Sequence, residues 1–333
     1  MPRKGTKANI IRRYLRVSPK QYRKLLVGLT NVVETKMCAK DWSSIEYSKL
    51  PSLASSRYQK TFMKNDEERY EEYKRALVGG KTTINAGAVY PYDIIKSIKY
   101  GGEKDVAQAQ WESLPNYMEG ISERVLPVVD VSGSMTTPAG NNGNVTCMDV
   151  STSLGMYISE RNEGVFKNAF ITFSSRPQLQ LLKGSLADRL NQLERADWGM
   201  NTDLKATFEL ILDQAVKHNV PLSEMPTKVL ILSDMEFDEA IGSRMYDISD
   251  WNPTAQEMIK GMYEEAGYEM PGIVYWNIQS RQDNVPTRFD EMGTALVSGF
   301  SPSIMKSILS CQDMTPYKMM METIGSARYE AIT

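Results

Sequence analysis

Between positions 128 and 135 the chain runs Val-Val-Asp-Val-Ser-Gly-Ser-Met, so Asp130, Ser132 and Ser134 stand at alternate positions directly after an apolar run. A carboxylate and two hydroxyls in one loop form an oxygen-only donor set of the kind that hard divalent cations take. Two further donors sit in later breaks between elements, Thr202 in Trp198-Gly199-Met200-Asn201-Thr202-Asp203 and Asp234 in Leu232-Ser233-Asp234-Met235. In a parallel sheet, loops leaving the C-terminal strand ends meet along one edge whatever their separation in sequence, and ligands bind in the crevice there. A cation held by neutral hydroxyls and only two carboxylates stays electrophilic toward an anionic oxygen from outside. The competing reading is a serine-capped turn with unrelated acids nearby. Thr146 and Asp149 have the spacing of a structural pair, a capping box that opens the next helix. Asp203, Glu236 and Asp238 are close enough in sequence to tune the charge of such a site, and the Gly/Asn-rich loop 136–145 is expected to overhang it.

Catalytic readings of the same residues lack their partners. A phosphatase of the haloacid dehalogenase type places an acid two residues after its first Asp, where this chain has Ser132. The single histidine, His218, falls at the expected end of a helix, away from any nucleophile that it could serve as a base. Neither a Gly-x-x-x-x-Gly-Lys loop nor a Gly-x-Gly-x-x-Gly turn after a strand is present, so no nucleotide cofactor is expected. The chain is therefore expected not to be an enzyme.

The elements that must position these donors change character near residue 120. From there on, short apolar runs at 125–131, 168–174, 179–182, 228–233, 272–277 and 294–299 alternate with amphipathic stretches at 147–160, 185–193, 204–217, 254–265, 303–309 and 316–326. That alternation predicts an α/β fold with a mostly parallel, doubly wound sheet covered on both faces. Before it, Ser18 and Pro19 open a helix with an apolar stripe, and further helices are predicted at 53–63, 66–77, 91–100 and 105–117, with glycine pairs at 79–80 and 101–102 as stops. The expected organisation is a basic arm and small α-helical module over residues 1–120, then the α/β domain over 121–333.

The formal net charge is only −2, yet residues 1–33 hold nine basic side chains and no acidic one: Arg3, Lys4, Lys7, Arg12, Arg13, Arg16, Lys20, Arg23 and Lys24. Such a segment attracts phosphates through counterion release, and RNA is the partner that it suggests; a solvated arm is the plainer reading. No apolar run is long enough to span a bilayer, no secretory signal is apparent, and Cys38, Cys147 and Cys311 show no disulfide or zinc spacing. A cytoplasmic protein without a membrane partner is expected. The methionines Met314, Met319, Met320 and Met321 have the spacing of core packing.

The Asp-x-Ser-x-Ser run, with Thr202 and Asp234 following in order, resembles the metal-ion-dependent adhesion site (MIDAS) of the von Willebrand factor A (vWA) domain family. That resemblance implies Ser132, Ser134 and Thr202 as hydroxyl ligands of Mg²⁺, with Mn²⁺ as an alternative occupant. It implies Asp130 and Asp234 as the charged groups, bound directly or through water, and a carboxylate of a protein partner as the completing ligand. The stretches Ser18-Pro19-Lys20-Gln21-Tyr22-Arg23-Lys24-Leu25, Trp42-Ser43-Ser44-Ile45-Glu46-Tyr47 and Ala88-Val89-Tyr90-Pro91-Tyr92 are similar to an uncharacterised family of plant, bacterial and phage proteins. That family joins a helical region to a vWA-like domain, and its distribution implies a third reading, a component of a phage or other assembly. More distantly the layout resembles the Ro autoantigen proteins, which implies RNA binding by the helical part, although this helical part is too short for a full Ro ring.

Overall fold

A computed structural model describes residues 5–29, 32–120, 123–139, 145–173, 176–195, 204–234, 253–279 and 294–298, with positions 317, 320, 321, 324 and 325. The chain divides into two compact units, Met1–Ala88 and Val89–Thr333. Two helices from within residues 1–120, Pro91–Lys99 and Lys104–Glu112, are thus part of the second unit.

The first unit is helical: α1 Thr6–Tyr14, α2 Pro19–Leu29, α3 Val33–Cys38, α4 Ser52–Arg57, α5 Gln59–Asn65 and α6 Glu67–Val78. The stretch expected as one helix at 53–63 is two, α4 and α5, because Tyr58 leaves helical geometry at φ −102°, ψ 10°. The Tyr58 hydroxyl donates to Glu34 Oε1 at 2.8 Å. Tyr47, Phe62, Tyr70 and Tyr73 pack ring against ring, with Tyr47 edge-on to Phe62 and to Tyr70 at centroid distances of 5.1 Å. Asp66 accepts from the Tyr47 hydroxyl at 2.5 Å and from Arg69 at 2.8 Å, tying the turn before α4 to α6. The basic arm expected at the start of the chain is helical over α1. Its apolar stripe holds little more than Ala8 and Ile11, too little to stand out in sequence.

The second unit opens with α7 Pro91–Lys99 and α8 Lys104–Glu112. Helix α8 stops short of the predicted residue 117 because Pro115 cannot donate to a helical ladder and disfavours helical geometry in Leu114. The strands are β1 Val125–Asp130, β2 Ala169–Phe173, β3 Gln178–Leu181, β4 Lys228–Ser233, β5 Gly272–Asn277 and β6 Thr294–Ser298. The helices among them are α9 Cys147–Arg161, α10 Leu186–Glu194, α11 Leu204–Lys217 and α12 Pro253–Glu265. The sheet order is β3-β2-β1-β4-β5-β6, parallel throughout except for β3, which runs antiparallel to β2 at the edge. This is the α/β class expected, a mostly parallel sheet wound in both directions from β1 and β4.

Strands β1 and β2 are buried along their whole length, as sheet strands covered on both faces must be. On one face Val128, Ile171, Ile231 and Tyr275 meet Phe208 and Ile211 of α11 and Tyr263 of α12. On the other, α9 comes so close that a Cβ on Gly155 would lie 2.5 Å from Val129 Cγ2 and 2.6 Å from Phe170 Cε2. Among the described residues no helix is long and apolar enough to cross a membrane. The predicted helix at 303–309 and most of that at 316–326 lie outside the described residues, as do Met314 and Met319. Met320 and Met321, expected in the core, are instead exposed: helical spacing marks a common face but not which side of it is covered.

Candidate metal centre

Strand β1 ends on Asp130, which is 1% exposed, and the sheet register puts it beside the end of β4: Val129 pairs with Leu232, so the next step brings Asp130 level with Ser233. The Ser233 hydroxyl donates to Asp130 Oδ2 at 2.6 Å. The chain then turns, and the Ser132 amide donates back to Asp130 Oδ1 at 2.9 Å, an Asx-type turn that aims the following residues at the strand end. A short 3₁₀ turn, Gly133–Thr136, carries Ser134, and the Ser132 and Ser134 hydroxyls lie 3.0 Å apart. Both serines are half-buried and Met135 is fully buried. Asp234, the first residue after β4, is 1% exposed, and its amide donates to Met135 Sδ at 3.2 Å.

Four of the five residues singled out by type and spacing therefore share one strand edge: Asp130, Ser132, Ser134 and Asp234. Thr202 lies outside the described residues, as do Asp203, Glu236 and Asp238. Of the overhanging loop, only the base is described. It is pinched shut by Ala139 donating to the Val145 carbonyl at 2.8 Å and Cys147 donating to the Thr137 carbonyl at 2.9 Å. Thr146 and Asp149 form the capping box of α9, and Asp149 also meets Lys99 at 3.0 Å. His218 is exposed just beyond α11.

The electrostatics are those of a deeply buried carboxyl. Burial pushes the Asp130 carboxyl up to about 6; the nearby Asp234 charge adds to the rise, while the Ser233 and Ser132 hydrogen bonds oppose it. An ionised carboxylate this deep is costly unless it is paired or bound to a metal. The donor set fits a hard cation on two grounds. Every donor is oxygen, and the hydroxyl spacing of 3.0 Å matches the upper end of the separation of about 2.8–3.0 Å between neighbouring ligands of an octahedron with Mg–O bonds of about 2.0–2.1 Å. The same spacing also serves as a hydroxyl–hydroxyl hydrogen bond.

Two side chains at this edge are not evident from sequence. Ser233 reads as the last strand residue, and only the pairing of β1 with β4 brings it to Asp130. Gln279, two residues past β5, is 7% exposed; its amide nitrogen donates to Thr137 Oγ1 at 3.1 Å, and its carbonyl oxygen is buried with no hydrogen-bond partner among the described residues. The signal that could have found both is position, since each sits at a C-terminal strand end on the same edge.

Of the basic segment, Lys7, Arg13, Arg16, Lys20, Arg23 and Lys24 are exposed and Arg12 is half-buried, all on α1, α2 and the turn between them; Arg3 and Lys4 lie outside the described residues.

A family model described as "Domain of unknown function (DUF7788)" matches residues 124–329, and one described as "Domain of unknown function (DUF2828)" matches residues 2–121. The chain is 27% identical over 338 residues to an uncharacterized protein of Acanthamoeba polyphaga mimivirus, covering 95% of this chain and 56% of that protein. It thus spans little more than half the length of this curated relative. Among solved structures it is similar to the Ro (RSR) protein of Deinococcus radiodurans, at a TM-score of 0.40 and 12% identity over 93% of this chain and 71% of that one. It is also similar to an aerotolerance-related membrane protein of Bacteroides fragilis, at a TM-score of 0.33 and 13% identity over 56% of this chain and 96% of that one.

Proposed function

The chain belongs to the DUF7788 family, and we propose that its α/β unit is a metal-dependent protein-interaction module that captures a carboxylate of a partner at the β1/β4 edge. The observation that carries this reading is the pair of hydroxyls of Ser132 and Ser134, 3.0 Å apart, beside a buried Asp130 whose own oxygens are fixed by Ser233 and the Ser132 amide.

In this reading Ser132 and Ser134 hold Mg²⁺ directly, joined by Thr202 as the motif's likeness to the vWA adhesion site implies. Asp130 and Asp234 balance the charge. Hydrogen bonds from Ser233 and the Ser132 amide leave Asp130 lone pairs for a bound water or the ion, because a carboxylate has about four acceptor sites. When bound, the cation supplies an electrophilic position for an anionic oxygen. The chain's own residues do the rest: the Asx turn fixes the serines, Met135 anchors their turn in the core, and the buried strand ends keep the edge rigid.

Calorimetric titration of Mg²⁺ and Mn²⁺ into the chelator-treated chain tests the reading. One divalent ion binds to the wild type and none to Asp130→Ala. A wild type that binds neither ion removes the metal from the proposal, and with it the carboxylate partner.

A further inference from the structure

We infer that the hairpin of α1 and α2 is a binding surface for single-stranded nucleic acid. Helix α1 closes on the turn after Tyr14, where Arg16 takes the left-handed φ of 52° and donates to the Arg13 carbonyl, while Val17 donates to that of Arg12. The start of α2 is fixed by reciprocal bonds: the Ser18 amide donates to Gln21 Oε1 at 2.8 Å, and the Gln21 amide to Ser18 Oγ at 3.3 Å. Ala8, Tyr22 and Leu26 are buried against one another, with Ile11 and Val17 packed on them. The hairpin is a shaped element, and its apolar stripe is spent on its own packing.

The charges that it turns outward are all positive. Lys7 and Arg13 on α1, Arg16 in the turn, and Lys20, Arg23 and Lys24 on α2 are exposed, and no carboxylate occurs between residues 1 and 33 to neutralise them. Six like charges on two short helices and the turn between them repel one another, and a strand of phosphates relieves that repulsion while releasing its own counterions. Among these cations Tyr14 is 86% exposed. A tyrosine ring standing free between arginines is a stacking platform for an unpaired base.

An anionic membrane shares the negative charge but asks for a different face. A helix lying in a bilayer surface presents a continuous apolar stripe to the lipid. Here that stripe faces inward, and the apolar residues left exposed, Ile10, Leu15, Leu25 and Val27, form no second one: Leu25 and Val27, two positions apart on α2, lie on different sides of the helix, as do Ile10 and Leu15, five apart.

The test uses the full chain in EDTA, so that no metal bridges the phosphates, with fluorescence anisotropy of labelled oligouridylate and oligothymidylate between about 50 and 200 mM salt. Binding is expected to weaken with rising salt. Neutralising Arg13, Lys20, Arg23 and Lys24 to glutamine together is expected to reduce the log–log slope by about 3, at roughly 0.7 for each phosphate that is no longer neutralised. Tyr14→Ala is expected to weaken binding about 5- to 100-fold with the slope unchanged, the signature of a missing stack. Circular dichroism of each variant establishes that the helices persist. A preference for oligouridylate assigns RNA and a preference for oligothymidylate assigns DNA. Binding that ignores salt, binding that survives the fourfold variant intact, or capture by phosphatidylserine vesicles in place of either oligonucleotide overturns the inference.

Discussion

The hydroxyl of Ser233 donates to Asp130 Oδ2 at 2.6 Å, a bond between residues 103 apart in sequence that joins the C-terminal ends of β4 and β1. Both residues are buried, so water cannot replace either partner. A hydrogen bond to a charged group of this kind contributes about 1.5–3 kcal/mol, and a residue that orients a metal-bound group changes affinity about 10- to 100-fold.

Ser233→Ala is accordingly expected to lower stability by about 1.5–3 kcal/mol above pH 7 and to weaken Mg²⁺ binding at least about tenfold. Urea unfolding in EDTA measures the first effect and calorimetry the second. An unchanged Mg²⁺ affinity would mean that Asp130 is not part of a metal centre.

The raised Asp130 carboxyl gives a pH dependence of definite sign. Its value of about 6 in the folded chain lies above the ordinary 3.8, so between those two the folded state holds a proton that the unfolded state has lost. This group therefore stabilises the metal-free fold progressively as pH falls from above 6 toward 4, and its burial penalty is fully present above 6. Asp130→Asn keeps the shape, and its amide can donate to Ser233. In EDTA the variant is expected to be more stable than wild type at pH 7.5 by on the order of 2 kcal/mol, with little advantage at pH 4.5. Mg²⁺ affinity of the wild type is expected to fall as pH drops through about 6, since the cation competes with the proton. An Asn variant equally destabilised at both pH values would contradict the assignment.

What sequence could and could not convey divides along sequence distance. Strands β1, β2, β4 and β5 read directly as apolar runs because both faces of the sheet are buried there; β1 and β2 have no exposed residue to interrupt the pattern. Asp130, Ser132 and Ser134 are legible as a group because one loop carries them, and Asp234 because it ends a strand of the same sheet. Ser233 and Gln279 are not legible, since their roles depend on which strands are neighbours and in what register. The division of 53–63 at Tyr58 has no signal in the local pattern, and helix α1, whose Ala8 and Ile11 pack against Tyr22 and Leu26, draws on contacts that local pattern does not carry. Thr202 stands as the motif names it, outside the described residues.

Gln279 offers a way to separate positioning from folding. Its amide nitrogen holds Thr137, whose own amide donates to the Ser134 carbonyl at 3.0 Å, so β5 braces the serine turn. Gln279→Met removes that brace and also a buried carbonyl oxygen that has no partner among the described residues. The two effects on stability oppose each other, and the net change is expected to stay within about 1 kcal/mol. Mg²⁺ affinity is nonetheless expected to fall several-fold as the turn loosens. Equal affinity in the two proteins, measured calorimetrically, would show that the serine turn holds its shape alone.

Gly155 tests the packing that carries the site, with two effects of opposite sign. In the middle of α9, glycine costs a helix about 1 kcal/mol relative to alanine, so propensity alone predicts that Gly155→Ala stabilises. Its Cβ, however, would lie 2.5 Å from Val129 Cγ2 and 2.6 Å from Phe170 Cε2, both on fully buried central strands. Neither side chain has room to withdraw in an interior packed at crystal density, so α9 must move away from the sheet, at a typical cost of about 1–3 kcal/mol. The clash should prevail, giving a lower unfolding midpoint for Gly155→Ala and a lower one still for Gly155→Val. Because Val129 adjoins Asp130 in β1, the displaced strand is also expected to weaken Mg²⁺ binding, and a variant more stable than wild type would show that α9 sits farther from the sheet than these distances require.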